Sequence, residues 1–132
     1  MGKYFSIEEL SASSTARSHG IDNTPPEDAI TNMQALITKL LDPLRAEWGH
    51  SIRVNSGYRS AQLNRAVGGA AQSQHMRGEA ADLTTGSRSD NRKLFNLIRE
   101  CGLEFDQLIN EHDYSWIHVS YSVRHNRRQV IV

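Results

Sequence analysis

Apolar residues recur every three or four positions between residues 27 and 48, and this period predicts an amphipathic helix. The repeating positions are Ile30, Met33, Ile37, Leu40, Leu41 and Leu44. Thr24 is a candidate N-cap, because its hydroxyl can accept a hydrogen bond from a backbone N–H of the first turn. The helix is expected to reach about Trp48 and to end at Gly49, and Pro43 should bend or split it.

Alternating apolar and polar residues in the rest of the sequence predict strands. The first candidate covers residues 52–55, and the others are EAADLTT, FDQLINE, SWIHVSY and RQVIV. Helical patterns occur in SAQLNRAV and in SDNRKLFNLIRECG, the second with Ser89 as its expected cap and Gly102 as its stop. These elements predict an α+β fold, a small antiparallel sheet flanked by helices. One domain is expected over residues 1–132, with residues 1–24, including a short helix near SIEELSAS, wrapping its surface.

Composition narrows the class of protein. A chain of 132 residues suits one soluble domain, and 15 basic residues balance 15 acidic residues. The local basic cluster RHNRR (124–128) is therefore interpreted as a solvated hairpin turn, and a nucleic-acid partner is disfavoured. Cys101 has no second cysteine to pair with and is interpreted as a packed residue. Neither a signal-peptide pattern nor an apolar run of about twenty residues is present, so we expect a cytoplasmic product with no membrane partner.

Three residues form a candidate metal site. Asp82 lies in a strand pattern, and aspartate is disfavoured in strands. Its presence there indicates a specific role. Its neighbours can face the core while Asp82 points the other way, and His118 occupies a similar position in WIHVS. If the two strands are neighbours, His75 from the preceding loop can join them. Two imidazoles and one carboxylate suit zinc, with a position left for a water whose pKa falls toward about 7.

Hydrolysis also needs an acid–base group and a cation. Glu111 and Asp113 lie shortly before His118, and Arg59 follows a turn at Gly57 where it could clamp a carboxylate or carbonyl oxygen. Each of these residues, taken alone, could have a purely structural role. A lone histidine is more often a structural residue than a ligand, and a lone arginine more often forms a surface ion pair.

Taken together and in order, the motifs indicate a protein family. The ordered set SGYRS, LN, VGGA, SQHMRGEAADL, FDQLINE and WIHVS resembles the zinc D-Ala-D-Ala carboxypeptidase family, the M15 peptidases, over residues 52–121. The resemblance implies the fold shared with the hedgehog signalling domain and one catalytic Zn²⁺. It assigns His75, Asp82 and His118 as metal ligands and Arg59 as a residue that contacts substrate near the scissile bond.

The resemblance has one departure. Many members carry the catalytic acid three residues before the last histidine, where this chain has Ser115. In the hedgehog-like arrangement a glutamate closes the FDQLINE strand, so Glu111 is the expected base and Asp113 the second candidate. The resemblance further suggests that Ser73, Gln74 and Trp116 contact the substrate; Trp116 could equally belong to the core.

The function predicted from the sequence is hydrolysis of a peptide bond in peptidoglycan stem peptides, by a D-Ala-D-Ala carboxypeptidase or a related endopeptidase. We expect a monomer, acting on the cell wall after release as a phage or prophage lysis enzyme. The alternative is a non-catalytic, zinc-containing module of the same fold that binds the cell wall or a protein.

Overall fold

A computed structural model describes residues 3–132. Five strands form one sheet in the order β1-β2-β4-β3-β5. The strands are β1 Arg53–Ser56, β2 Ala80–Thr84, β3 Gln107–Glu111, β4 Trp116–Ser120 and β5 Gln129–Ile131. The α-helices are α1 Ile7–Ser11, α2 Ser14–Ser18, α3 Glu27–Leu36, α4 Asp42–Trp48, α5 Ala61–Ala66 and α6 Arg88–Glu100. The predicted α+β class is therefore confirmed. Among residues 3–132, no helix combines the length and the apolar character needed to cross a bilayer.

Strand register sorts the side chains of the sheet into two faces. In the antiparallel β2–β4 pair, Ala81 lies opposite Val119 and Asp82 lies opposite His118. Because successive side chains of a strand point to opposite faces, the apolar set faces the helices and the polar set faces away from the core. The buried sheet residues on the helix side are Ala81, Leu83, Leu108, Ile117 and Val119. The sheet is antiparallel from β1 to β3, but β5 adds to β3 in parallel, which the predicted antiparallel sheet did not include.

The predicted N-terminal helical region covers the expected residues, but its internal structure and its cap differ from the prediction. α3 and α4 are joined by a π-helical segment, Ile37–Leu41, so the predicted helix is divided just before Pro43, which lies in the first turn of α4. Pro43 is tolerated there because a first-turn residue needs no backbone donor. The predicted cap Thr24 is wrong, since α3 follows Pro26. Ser89 was also the wrong cap: Ser87 precedes α6, and its Oγ accepts from Asp90 N at 3.2 Å.

The N-terminal segment is fixed to the loop that follows β1. Leu10 is fully buried, and its carbonyl accepts a hydrogen bond from Tyr58 N at 2.7 Å. A Cβ on Gly57 would collide with that same carbonyl oxygen, so the close approach requires glycine. The Asn23 side chain donates to Tyr58 O and accepts from Ser60 N at 2.7 Å. These contacts hold the backbone on both sides of Arg59.

An ion pair between Asp106 and Arg127 helps to fix the C-terminal segment. Asp106, directly before β3, is 3% exposed and accepts hydrogen bonds from Arg127 Nε at 2.9 Å and Arg127 Nη2 at 2.8 Å. The backbone N–H of Arg127 also donates to Asp106 Oδ1, at 3.0 Å. This fork-shaped pairing directs the chain into β5.

We expect the contribution of Asp106 to stability to depend on pH. The hydrogen bond from the Arg127 side chain is the main reason that the pKa of Asp106 falls from 3.8 to about 2. The folded chain then binds fewer protons at this carboxyl than the unfolded chain, so the contribution is complete above about pH 4 and is lost as the pH falls toward 2. Urea unfolding of the wild type and Asp106→Asn should show a free-energy gap that narrows over that range. A gap independent of pH would contradict this account.

Candidate metal centre

The structure brings the three predicted ligands together. His118 Nδ1 lies 3.1 Å from Asp82 Oδ1, across the β2–β4 pair. His75 Nε2 approaches the same carboxylate oxygen at 3.4 Å. One candidate ligand atom from each residue lies within 4.8 Å of the others. β2 and β4 are neighbours, which meets the condition on which the sequence-based cluster depended, and the three side chains lie close together.

A short 3₁₀-helix, Gln74–Arg77, presents His75 to the cluster. Ser73 caps this helix, because its Oγ accepts from His75 N at 3.1 Å. His75 Nδ1 lies 2.7 Å from Gly57 O, and a carbonyl can only accept, so Nδ1 carries the proton. The lone pair of Nε2 therefore faces Asp82. A second hydrogen bond of this kind is the usual way that proteins fix a metal-binding imidazole.

Asp82 is held in its charged form. Burial by itself raises the pKa of this carboxyl, but the hydrogen bond from His118 and the other interactions with His118 and His75 outweigh it and keep the pKa well below the ordinary value. At neutral pH the group is an ionised carboxylate with little exposure to water. Two imidazole nitrogens and one carboxylate oxygen converge from separate elements, which matches a three-residue zinc site that retains a position for water or substrate.

Arg59 lies beside the cluster, with its side chain 13% exposed and Nη2 4.0 Å from Asp82 Oδ2. Burial lowers the pKa of Arg59, and the charge of Asp82 opposes that change. Its Nη1 donates to Asn64 Oδ1 at 3.2 Å. Gly69 must lack a side chain, because a Cβ there would collide with Asn64 Oδ1 and approach Arg59 Nη1. The guanidinium is therefore held by a neutral amide on one side and faces the Asp82 carboxylate on the other.

Glu111 and Asp113 have different surroundings. Glu111 ends β3 and pairs with Trp116, while Ile109 pairs with His118, so Glu111 lies on the sheet face of the metal cluster. Glu111 and His118 both line an open cleft of about 1130 Å³. Asp113 is exposed in the following turn and is not among the residues that line this cleft. The geometry thus favours Glu111 as the acid–base residue.

The β3–β4 turn has an uncommon backbone. Three consecutive non-glycine residues, His112 to Tyr114, have positive φ angles of 47°, 55° and 61°. The turn is stabilised by hydrogen bonds from Ser115 N to Glu111 O at 3.0 Å and from Asn91 Nδ2 to Tyr114 O at 2.8 Å. Such strained backbone persists only where its surroundings hold it, and here it fixes the ends of both strands at the site. Ser115 donates to His112 O and has no acidic function.

The predicted substrate contacts are divided between two cavities. Ser73 and Gln74 line the large cleft together with His118. Trp116 lines a second cavity of about 400 Å³, together with Asp82 and Arg59, and its ring packs against His112 at a centroid distance of 4.7 Å. Since Asp82 and His118 are in contact, the metal cluster lies where the two cavities approach each other.

Sequence reasoning assigned no role to Asn64 or Asn91. Asn64 holds Arg59, and Asn91 joins β2 to the turn before β4 through Thr84 and Tyr114. Both are buried inside helices, at 3% and 1% exposure. Asparagine is a weak helix former, so a buried asparagine in a helical pattern is a signal that could have indicated a positioning role.

Comparisons with known proteins agree with this geometry. The sequence profile of a family described as peptidase M15 matches residues 3–120. Zinc D-Ala-D-Ala carboxypeptidase from Streptomyces albus G is 45% identical to this chain over 62 residues. The alignment covers 46% of this chain and 24% of the relative, so the chain spans about a quarter of the length of that curated protein.

We expect the cluster to bind one zinc ion per chain. His75→Ala or His118→Ala removes a ligand, so zinc affinity should fall by more than the roughly 10–100-fold that loss of an outer hydrogen-bond partner costs. Metal analysis after dialysis against Zn²⁺ measures this. His50→Ala is the matched control, since His50 is exposed and outside the cluster. Equal zinc content in the His75 variant and the control would remove His75 from the site.

Proposed function

The chain belongs to the peptidase M15 family, and we propose that it is a zinc metallopeptidase that hydrolyses a peptide bond in peptidoglycan stem peptides. The observation that carries this proposal is the arrangement around the cleft. His75, Asp82 and His118 converge on one point, and Glu111 lies on the same sheet face beside an open groove. A binding module would need the clustered ligands but not an acid–base carboxylate at the edge of the groove.

The side chains divide the chemistry among them. His75 Nε2, Asp82 Oδ1 and His118 Nδ1 would hold the zinc ion, which when bound supplies a Lewis acid that polarises a carbonyl group and makes water more acidic. The Glu111 carboxylate takes a proton from the attacking water and returns it to the leaving amine. A C–O bond forms, the C–N bond breaks, and the products are a carboxylate and an amine. Arg59 stabilises the negative charge that develops on the carbonyl oxygen.

The substrate assignment rests on the relative and on the shape of the site. The relative's name gives D-Ala-D-Ala as its substrate, which supports a peptidoglycan stem peptide for this chain. His118 lines one cavity and Asp82 lines the other, so two spaces that could hold peptide reach the metal cluster. This space favours cleavage of an internal bond by an endopeptidase over removal of a terminal D-Ala. Such cleavage weakens the wall, as a phage or prophage lysis enzyme requires.

We expect Glu111→Gln to lower kcat by about 10²–10⁴-fold, the usual contribution of a general acid–base group. Zinc content should be unchanged, because Glu111 is not part of the ligand cluster. Mass spectrometry of peptidoglycan fragments, with metal analysis of the same sample, measures both. Asp113→Asn is the control and should retain activity. The reverse pattern would make Asp113 the base, and a zinc-loaded wild type that binds but never cuts stem peptides would support the binding module.

Cleavage of an internal bond leads to a second prediction, about the C-terminus of the substrate. Stem peptides with an amidated C-terminus should be cut at a rate similar to the free acids, because an endopeptidase does not need a terminal carboxylate next to the bond it cuts. Liquid chromatography with mass spectrometry of paired synthetic peptides measures the two rates. Cleavage of the free acid alone, with release of D-Ala, would establish the carboxypeptidase activity instead.

A further inference from the structure

We infer that Arg127, in the C-terminal segment, is a positioning residue for the metal centre: it acts through Asp106 and Gln74 on the 3₁₀-helix that carries His75. The inference rests on the proposed function only in taking zinc as the metal. It concerns residues beyond position 120, where the match to the family profile ends. It also gives a role to one arginine of the RHNRR cluster, for which the charge balance disfavours nucleic-acid binding.

Asp106 links the two ends of this connection. Its Oδ2 accepts from Arg127 Nη2 at 2.8 Å and from Gln74 Nε2 at 3.0 Å. Its Oδ1 accepts from Arg127 Nε at 2.9 Å and from Arg127 N at 3.0 Å. One buried carboxylate therefore joins a C-terminal arginine to the residue immediately before a predicted metal ligand.

Gln74 transmits the position of Asp106 to His75. Gln74 is the first residue of the 3₁₀-helix, and its carbonyl accepts from Glu79 N at 3.0 Å. Its side-chain amide donates to Asp106 and lies 3.4 Å from Glu79 Oε1. Both the backbone and the side chain of Gln74 are thereby fixed. Because His75 follows directly, a shift of Gln74 moves the imidazole relative to Asp82.

The arginine is needed for charge as well as for geometry. Without Arg127, Asp106 would be a buried carboxylate facing a neutral amide, and a buried charge that loses its partner is strongly destabilised. The carboxyl would then move toward water or take up a proton, and in either case the acceptor for Gln74 Nε2 is lost. With Arg127 in place, the pKa of Asp106 is about 2 and the carboxylate stays charged at neutral pH.

Arg128 provides a matched comparison within the same segment. It donates to Leu103 O at 2.7 Å and to Arg99 O at 2.9 Å, and its guanidinium lies 4.8 Å from the centre of the Phe105 ring. Arg128 therefore anchors the C-terminal segment to the end of α6, but it makes no hydrogen bond to Asp106. Loss of Arg128 should loosen the segment without disturbing Gln74.

Zinc affinity of Arg127→Ala, Gln74→Ala, the double variant and Arg128→Ala tests the inference. The dissociation constant is measured by competition with a chromophoric chelator, and thermal unfolding of the metal-free chains is measured alongside. Arg127→Ala and Gln74→Ala should each weaken zinc binding by about 10-fold or more, as the loss of an outer partner does. The double variant should bind zinc no more weakly than either single variant, because Arg127 and Gln74 act on His75 through the same carboxylate, that of Asp106. Arg128→Ala should bind zinc like the wild type even if its Tm falls.

Several results would overturn the inference. Equal weakening in Arg127→Ala and Arg128→Ala would show that only general anchoring of the segment matters. Additive losses in the double variant would show that Arg127 and Gln74 act separately. If Arg127→Ala does not fold, Arg127→Lys replaces it; this variant keeps the charge but not the fork, and wild-type zinc affinity would contradict the role of the paired hydrogen bonds.

The proposed function is tested separately by this design. Zinc binding can be measured in the Glu111→Gln background, so absence of peptidase activity leaves the affinity comparison intact. A wild-type chain that binds zinc tightly but cuts no peptide would refute the peptidase and not the positioning role. A wild-type chain that binds no zinc would refute the metal centre and the inference together.

Discussion

Asp82 lies opposite His118 across the β2–β4 pair, and the site depends on this register. A shift of one residue would turn Asp82 toward the apolar core and place Ala81 or Leu83 on the site face. Burial of Ala81 and Leu83 on the other face makes that shift costly, because these two apolar side chains would lose their core contacts. The core thus fixes the positions of two of the three predicted ligands.

The two carboxylates at and near this site each lie beside groups of opposite charge or hydrogen-bond donors. Asp82 is half-buried beside two imidazoles and Arg59, and the buried Asp106 is paired with Arg127. Each carboxylate is stabilised by donors from a different part of the chain, so the polar network joins segments that the sheet leaves apart. The N-terminal segment holds the loop around Arg59, and the C-terminal segment holds Asp106. Removal of one partner would leave a buried charge, which ties the chemistry of the site to the stability of the fold.

Local sequence patterns predicted most helices and strands. The predictions failed where a contact between residues far apart in the sequence determines the local structure. The helix spacing from Ile30 to Leu44 predicted α3 and α4 together, but not the π-helical segment that places Pro43 in a first turn. Ser87 and Ser89 can both cap a helix, and the choice depends on how the chain leaves β2. β5 was predicted as a strand, but its parallel pairing with β3 accompanies the Asp106–Arg127 contact, which joins residues 21 positions apart.

The sequence by itself determined the fold class, the α3–α4 helical region, the strands and the residue types of a hydrolytic metal site, because periodicity and ligand chemistry are local properties. Only the tertiary structure decided which of these residues meet. It placed Glu111 on the cleft and left Asp113 exposed in a left-handed turn, a difference set by backbone φ angles stabilised by Asn91. It also paired the exposed Arg127 with Asp106 and left Arg128 on the end of α6. Neighbouring arginines look alike in sequence, and only their long-range partners distinguish them.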